Sequence, residues 1–447
     1  MLSAQWPIYY AYRWLWSARY RAVRRFTRTG MAMLAGLVVS AAVGVDMDQT
    51  VAGQAFTLLL AMLALAFVGS AFFRVRFSAQ RILPRYGTVG HPLIYRVAVT
   101  NRTRETQTGL VLLEDLADPR PTFAEFAAAR VAEEQQTPSF RLSRQASRMR
   151  FTAATVKEVA VPPLFPGQTL EVPVELNPLK RGWLRFSGVA LGRPDPLGLV
   201  KALARLSLPQ SVLILPRRYP LPSVALPGTA RYQQGGVALA SSVGESEEFV
   251  SLRDYRQGDP LRRIHWRSWA KVGKPIVKEF EDEFFVRHAL ILDTFIAHPN
   301  SRAFEEAVSV AASFACTVPT QESLLDLLFV GPQAYCFTAG RGVGHADQML
   351  EVLAAARVCQ EQRFDALEHL VLDHVDAVSG CICVLLAWEA RRQQFIERLR
   401  ALGVPLLVLV ITEAGASPRL DPGPLRDQPE AFHVLEAGAI AEGLAKL

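Results

Sequence analysis

The chain has 447 residues, long for a single domain, so two or three globular units are expected. Half of it is apolar, a fifth is charged, and its mean hydropathy of +0.16 is high for a soluble protein and points to a membrane portion. The formal charge of +7 is concentrated at one end: Arg13, Arg19, Arg21, Arg24, Arg25 and Arg28 precede residue 30 with no acid among them, and the near-neutral remainder excludes a globally basic nucleic-acid binder.

Residues 1–28 mix aromatics with arginines (WPIYYAYRWLWSARYRAVRRF), which suits an interfacial helix on an anionic membrane surface. Residues 29–73 then read as two transmembrane helices. The runs 29–45 and 51–73 carry no charge, and at about 1.5 Å per residue each can cross a hydrocarbon core, the first only just. The short DMDQT between them makes a helical hairpin. Arginines flank the hairpin on both outer sides (Arg74, Arg76, Arg81 and Arg85 on the far one), while its turn holds only Asp46 and Asp48. The positive-inside rule therefore places both termini in the cytoplasm. A cleaved signal peptide is disfavoured, because the apolar run starts late and a second one follows.

Residues 77–220 are expected to form a β-sandwich-like domain. LIYRVAVTN (93–101), GLVLLEDL (109–116), TLEVPVELN (169–177), WLRFSGVALG (183–192) and SVLILP (211–216) are short strands punctuated by Pro and Gly. An insertion at 121–148, rich in Ala, Glu, Arg and Gln, interrupts them. Asp195-Pro196-Leu197-Gly198 is a tight turn, read as a strand-to-strand corner in preference to a docking loop. Residues 221–246, dominated by Pro, Gly, Ser and Ala, read as a linker.

Residues 247–285 (EEFVSLRDYRQGDPLRRIHWRSWAKVGKPIVKEFEDEFF) have about twice the charge density of the rest, with eight acids, eight bases and seven aromatics. A phosphate-binding surface would be strongly positive, so balanced charge argues for groups that pair with one another. Asp259-Pro260 is expected to cap and open a helix, LRRIHWRSWAKV, that stops at Gly273. A strand from Ile276 should then feed the last region.

From 286 to 447, apolar strands alternate with helices, so a largely parallel sheet covered on both faces is expected. Ligands of such sheets bind beyond the carboxyl ends of the strands. Here the first strand ends in Asp293 and a later one in Ala387-Trp388-Glu389. The phosphate-loop lysine is missing, and AGRGVGH (339–345) reads as a turn between strand and helix. His369 and Asp373 share a helical face, with His374 beside them, but ordinary exposed polar residues explain them better than a metal pair. Cys316, Cys336, Cys359, Cys381 and Cys383 lack metal spacing and read as buried free thiols in a reducing compartment.

The charged segment and the DPLGLV turn at 195–200 together resemble the domain of unknown function 58 family, with RRIHWRSWAK (262–271) matching well. The resemblance implies a shared plan: a membrane hairpin, a β-rich domain, the charged motif, and a von Willebrand factor A-like α/β domain of Rossmann type. It further implies a bacterial inner-membrane protein that accompanies a AAA+ ATPase of the MoxR type as a non-enzymatic adaptor or assembly factor. The motif positions expected to bind a partner or lock the fold are Glu248, Arg253, Tyr255, Gly258, Asp259, Arg262, Arg263, His265, Trp266, Lys271 and Lys278. In von Willebrand factor A domains, Asp-x-Ser-x-Ser holds Mg²⁺. Only Asp293 remains of that pattern here; Phe295 and Ala297 replace both serines, so neither metal nor cofactor is expected. Two alternatives stay open: a metal-dependent binding module, and a hydrolase centred on His265 with Asp259 or Glu248.

Overall fold

The computed structural model describes residues 6–43, 50–73, 75–117, 120, 122–123, 126, 152–222, 231–232, 249–259, 261–280, 284–296, 301–318, 323–340, 345–360, 362–413 and 420–447. The chain forms two units, Met1–Leu215 and Pro216–Leu447. The predicted insertion at 121–148 lies almost wholly outside the described residues, as does most of the linker.

The first unit opens with helices α1 (Trp6–Arg25), α2 (Arg28–Val43) and α3 (Thr50–Ala71). α2 and α3 pack together, with Leu59 set against Gly36. One helical segment, Val51–Ala71, is long and apolar enough to cross a membrane. α2 is apolar too, but its 16 residues reach roughly 24 Å, less than a hydrocarbon core. α1 is partly engaged with the β-rich region. Tyr9 is buried among Trp6, Phe123 and Phe126, and the buried Arg24 pairs with Asp115 and donates to the Glu114 carbonyl at 3.1 Å. Its other face leaves Tyr10, Trp14 and Leu15 exposed.

Among the described residues nine strands follow: β1 (Phe77–Ile82), β2 (Tyr86–Thr88), β3 (Leu93–Asn101), β4 (Leu110–Leu116), β5 (Ala154–Val156), β6 (Val159–Val161), β7 (Thr169–Pro178), β8 (Gly182–Pro194) and β9 (Lys201–Leu215). They form two sheets, ordered β1-β3-β7-β5 and β2-β9-β8-β4-β6, around one shared core. The alternation in β3 sends Leu93, Tyr95, Val97 and Val99 inward and Ile94 and Arg96 outward, as period two requires. β9 begins ten residues before its predicted start. Pro209 and weak alternation hide it in the sequence, yet it pairs along the whole of β8 across a bulge at Phe186–Gly188.

Arg81, read from the sequence as a membrane-flanking charge, lies instead inside this sandwich. Its guanidinium meets Glu114 at 2.6 Å, with both side chains fully buried, and also bonds the Leu208 and Gly188 carbonyls. The ring of Phe186 lies beneath it at 4.3 Å. The cost of burying this charge is offset by saturating its donors.

The Asp195 turn serves both as corner and as anchor. The carboxylate accepts from the backbone N–H of Leu197, Leu199 and Val200 at 2.6–2.9 Å, which fixes the loop. The loop in turn offers its Gly198 and Leu199 carbonyls to Thr27 and Thr29 at the start of α2. Phe26 bridges to Val200, and Leu63 and Ala66 of α3 join Leu199 and Val200 in a small apolar cluster.

The second unit contains β10 (Arg231–Tyr232), β11 (Phe249–Asp254), α4 (Trp266–Val272), β12 (Ile276–Phe280) and β13 (Phe284–Leu292). These are followed by α5 (Arg302–Thr317), β14 (Ser323–Val330), β15 (Ala334–Ala339), α6 (Ala346–Ala355), α7 (Asp365–Leu372), β16 (Gly380–Leu385), α8 (Ala390–Ala401), β17 (Leu406–Thr412), β18 (Phe432–Glu436) and α9 (Ile440–Leu444). The main sheet runs β15-β14-β13-β16-β17-β18, parallel except for the antiparallel edge strand β15. Counted from β13, the order is 3-2-1-4-5-6. The direction of winding reverses between β13 and β16, which opens a crevice beyond their carboxyl ends. β14, β16 and nearly all of β17 are buried on both faces, which is why they read as unbroken apolar runs.

The strand from Ile276 pairs with β11 over Ile276–Phe280, and β13 is described from Phe284. Two expectations for this unit are corrected. The linker contributes β10, which pairs with Phe284 and Phe285 at the start of β13, where neither β14 nor β16 has yet begun. Cys316 and Cys336 are exposed, whereas Cys359, Cys381 and Cys383 are buried.

Candidate functional site

The charged motif folds into a small module. β11 and β12 form an antiparallel ribbon, closed by Tyr255, whose N–H donates to the Pro275 carbonyl at 3.0 Å. Lys278 lies opposite Leu252 in the ribbon. The connecting segment is held by a two-pronged pair, with Arg253 donating to both oxygens of Asp259 at 2.7 and 2.8 Å. The backbone N–H of Arg256 also donates to Asp259, at 2.8 Å. Together with the Arg253 bonds, this holds the Asp259 carboxyl down at about 2. Gly258, at φ 108°, supplies the left-handed residue of this turn. Lys274 adds a second pair, to Asp254 at 2.8 Å. Part of the balanced charge is thus spent within the module, as its composition suggests.

The helix starts later than expected. Asp259 does not cap it, because Arg253 and the preceding turn have claimed its carboxylate. Leu261–Arg263 form one 3₁₀ turn, and Ile264 makes an antiparallel bridge to Val277. The His265 N–H donates to the Ile276 carbonyl at 2.8 Å, so α4 begins only at Trp266. The reason is burial: Ile264, Ile276 and Val277 are buried together, and joining them costs a turn of helix. Gly273 ends α4 in the left-handed conformation, φ 78°, as predicted. Glu248 and Pro260 lie outside the described residues.

His265 meets Ser268 through Nδ1 at 2.7 Å. It does not meet Asp259, the partner expected from the sequence. The pair lies three residues apart across the first turn of α4, a local closure of the helix start.

Within the module, the segment 261–274 is basic and aromatic. From Leu261 to Lys274 there are five cations, Arg262, Arg263, Arg267, Lys271 and Lys274, and no acid. Trp266 is 65% exposed and stacks on Trp269 with ring centroids 5.2 Å apart. Leu261 and Val272 are exposed beside them, and α4 has no fully buried residue. Arg262, Arg267 and Lys271 are exposed, while Arg253, Tyr255, Arg263 and Lys278 are half-buried.

A second constellation sits in the crevice between β13 and β16. Asp293, fully buried, accepts from the Phe295 N–H at 2.9 Å, the Leu386 N–H at 3.1 Å and Arg392 Nε at 2.7 Å. Arg392 continues to Glu389 at 2.5 Å and to the Phe295 carbonyl at 2.7 Å, and it packs over Phe364. A tethered guanidinium thus supplies the positive charge beside Asp293. The sequence reading singled out Asp293 and missed Arg392. A signal was present: Arg392 occupies the same helical stripe as Phe395, Ile396 and Leu399, all fully buried, so an arginine there must point inward.

Among the described residues, no group of three or more His, Cys, Asp or Glu side chains could hold one metal ion. His374 uses Nδ1 on the Leu370 carbonyl at 2.8 Å, and Asp373 and His369 stay exposed. The AGRGVGH turn falls partly outside the described residues.

Residues 251–384 match the family model described as protein of unknown function DUF58. A second match is the uncharacterized protein YeaD of Bacillus subtilis, 28% identical over 193 residues. That stretch covers 42% of this chain and 46% of YeaD, so the chain spans just under half of the curated relative it matches. Both findings support the resemblance carried by the charged motif. Among solved structures, a cohesin module from a family 33 glycoside hydrolase of Clostridium perfringens aligns over 32% of this chain and 98% of the module. At 9% identity and a TM-score of 0.15 that likeness carries no argument.

Proposed function

We propose that this chain is a membrane-anchored, non-enzymatic adaptor whose charged module is a docking surface for a AAA+ ATPase of the MoxR type. The observation that carries the reading is the segment 261–274, which contains five cations and no acid in its sequence and in which the exposed Trp266 stacks on Trp269. Tryptophan and arginine are the residues that dominate interface energetics when a partner covers them. Among the described acids, Asp254 pairs with Lys274 and Asp259 with Arg253, so the remaining cations of this segment suit a partner with an acidic, partly apolar surface.

The second unit is read as a von Willebrand factor A-type domain. The strand order 3-2-1-4-5-6, its antiparallel third strand and an aspartate ending the first strand all support that reading. Arg392 then stands in for the metal ion, and the adaptor works without divalent cations. The inner membrane, with both termini cytoplasmic, is the proposed location; the apolar helix Val51–Ala71 and the flanking arginines support it.

The test is photo-crosslinking in native membranes from position 266, with a benzophenone amino acid replacing the exposed tryptophan. Recovery of an ATPase subunit, abolished by Arg267→Glu/Lys271→Glu, is the expected result. Crosslinks confined to lipid, or to proteins other than an ATPase, would sink the proposal.

A further inference from the structure

A cleft of about 820 Å³ lies in the first unit between the carboxyl half of α1 and the strands β4, β5 and β8. Its size is that of a small-molecule site. Trp16, Tyr20 and Val23 form one wall. Three carboxylates line it, and each is already neutralised: Glu114 by Arg81, Asp115 by Arg24, and Glu158 by Lys201. Besides Arg24, four cations line it: Arg120, which donates to Ser17 at 2.8 Å, and Arg21, Lys157 and Arg205, which are exposed and without an ion pair among the described residues. Arg21, Lys157 and Arg205 therefore give the cleft an excess of positive charge between apolar walls.

Its position along the chain adds the second argument. Arg24 in the cleft wall stands four residues before the first residue of α2, and Thr27 between them is pinned to the Gly198 and Leu199 carbonyls. The cleft thus opens beside the root of the apolar helices, at the level where lipid headgroups lie in the membrane reading given above.

We propose that this cleft binds a phosphate-bearing anion, the headgroup of an anionic phospholipid, through Arg21, Lys157 and Arg205. Basic clusters immediately cytoplasmic of an apolar helix attract anionic lipid, and a recess with aromatic walls gives that attraction a defined seat. The occupant rests on the membrane reading; the phosphate chemistry does not.

The test uses the full chain in detergent, with thermal unfolding and native mass spectrometry as readouts. Phosphatidylglycerol, phosphatidylcholine and soluble glycerol phosphate are titrated separately. The expected result is retention and thermal stabilisation by phosphatidylglycerol over phosphatidylcholine. The variant Arg21→Gln/Lys157→Gln/Arg205→Gln should weaken that binding by roughly a hundredfold. Arg96→Gln, an equal loss of charge per site on the opposite sheet, should leave it unchanged. Stabilisation by glycerol phosphate alone, lost in the triple variant, would keep the phosphate site and assign it a soluble ligand. Failure of every anion to bind the wild-type chain, or an undiminished preference in the triple variant, overturns the proposal. Alkaline extraction of native membranes, run in parallel, separates loss of this site from loss of the membrane reading.

Discussion

Two carboxylates show how a single residue's role depends on what reaches it first. Asp259 looks like a helix cap in the sequence, because Asp-Pro opens many helices. In the structure Arg253 takes both its oxygens, and the carboxyl titrates near 2 in place of about 3.9 for an unfolded chain. A depressed carboxylate contributes its stability fully above the unfolded value and loses it as pH falls toward the folded one. Fluorescence of the stacked Trp266 and Trp269 should therefore stay constant from neutrality to about pH 4 and change only as pH approaches about 2. Asp259→Asn should give the low-pH spectrum at neutral pH. Asp293 is the more consequential case. Arg392→Met would leave it buried, charged and without its cation, and should destabilise the second unit by about 3–5 kcal/mol. Scanning calorimetry would register this as a fall on the order of 10 °C in its Tm. Adding Asp293→Asn should restore part of the loss, whereas Mg²⁺ should restore none. Recovery with Mg²⁺ would reveal a latent metal site.

At the scale of elements, the junction between α2 and the Asp195 loop is the tightest fit. A Cβ at Gly30 would collide with the Leu199 carbonyl oxygen, a backbone atom that cannot step aside cheaply. At Gly69 it would meet Pro196 only at ordinary contact, 3.5 Å. Gly30→Ala is expected to cost about 1–3 kcal/mol and to expose the loop to limited proteolysis; Gly69→Ala should do neither. The same junction shows what could be read from the chain alone. DPLGL announced a turn, but its carbonyls meeting Thr27 and Thr29 depends on pairing across about 170 residues, which no local pattern carries. α4 teaches the converse. Its glycine stop was right, but Ile264, expected inside the helix, pairs with the ribbon, because burial against Val277 outweighs one further turn of helix.

For the molecule as a whole, the testable claim is attachment to a membrane. Alkaline carbonate should leave the full chain in the pellet, and a chain lacking residues 1–73 should become extractable. Cysteine labelling from either side of sealed vesicles should place residues 46–48 opposite both termini if α2 spans along with α3; α2's 16 residues make this the decisive measurement. The sequence determined by itself the apolar helices, the main alternating strands of the first unit and apolar strands of the second, and the concentration of charge in one motif. Each of these is written in a local period or run: uninterrupted apolarity, alternation by two, or alternating strand and helix. Only the tertiary structure decided that Arg81 and Arg24 are structural ions and not membrane flank, that Asp259 serves Arg253, and that Arg392 holds Asp293. These are pairings of charges distant in sequence or displaced from their local role. They are fixed by the need to neutralise a buried charge, which depends on what the fold brings alongside it.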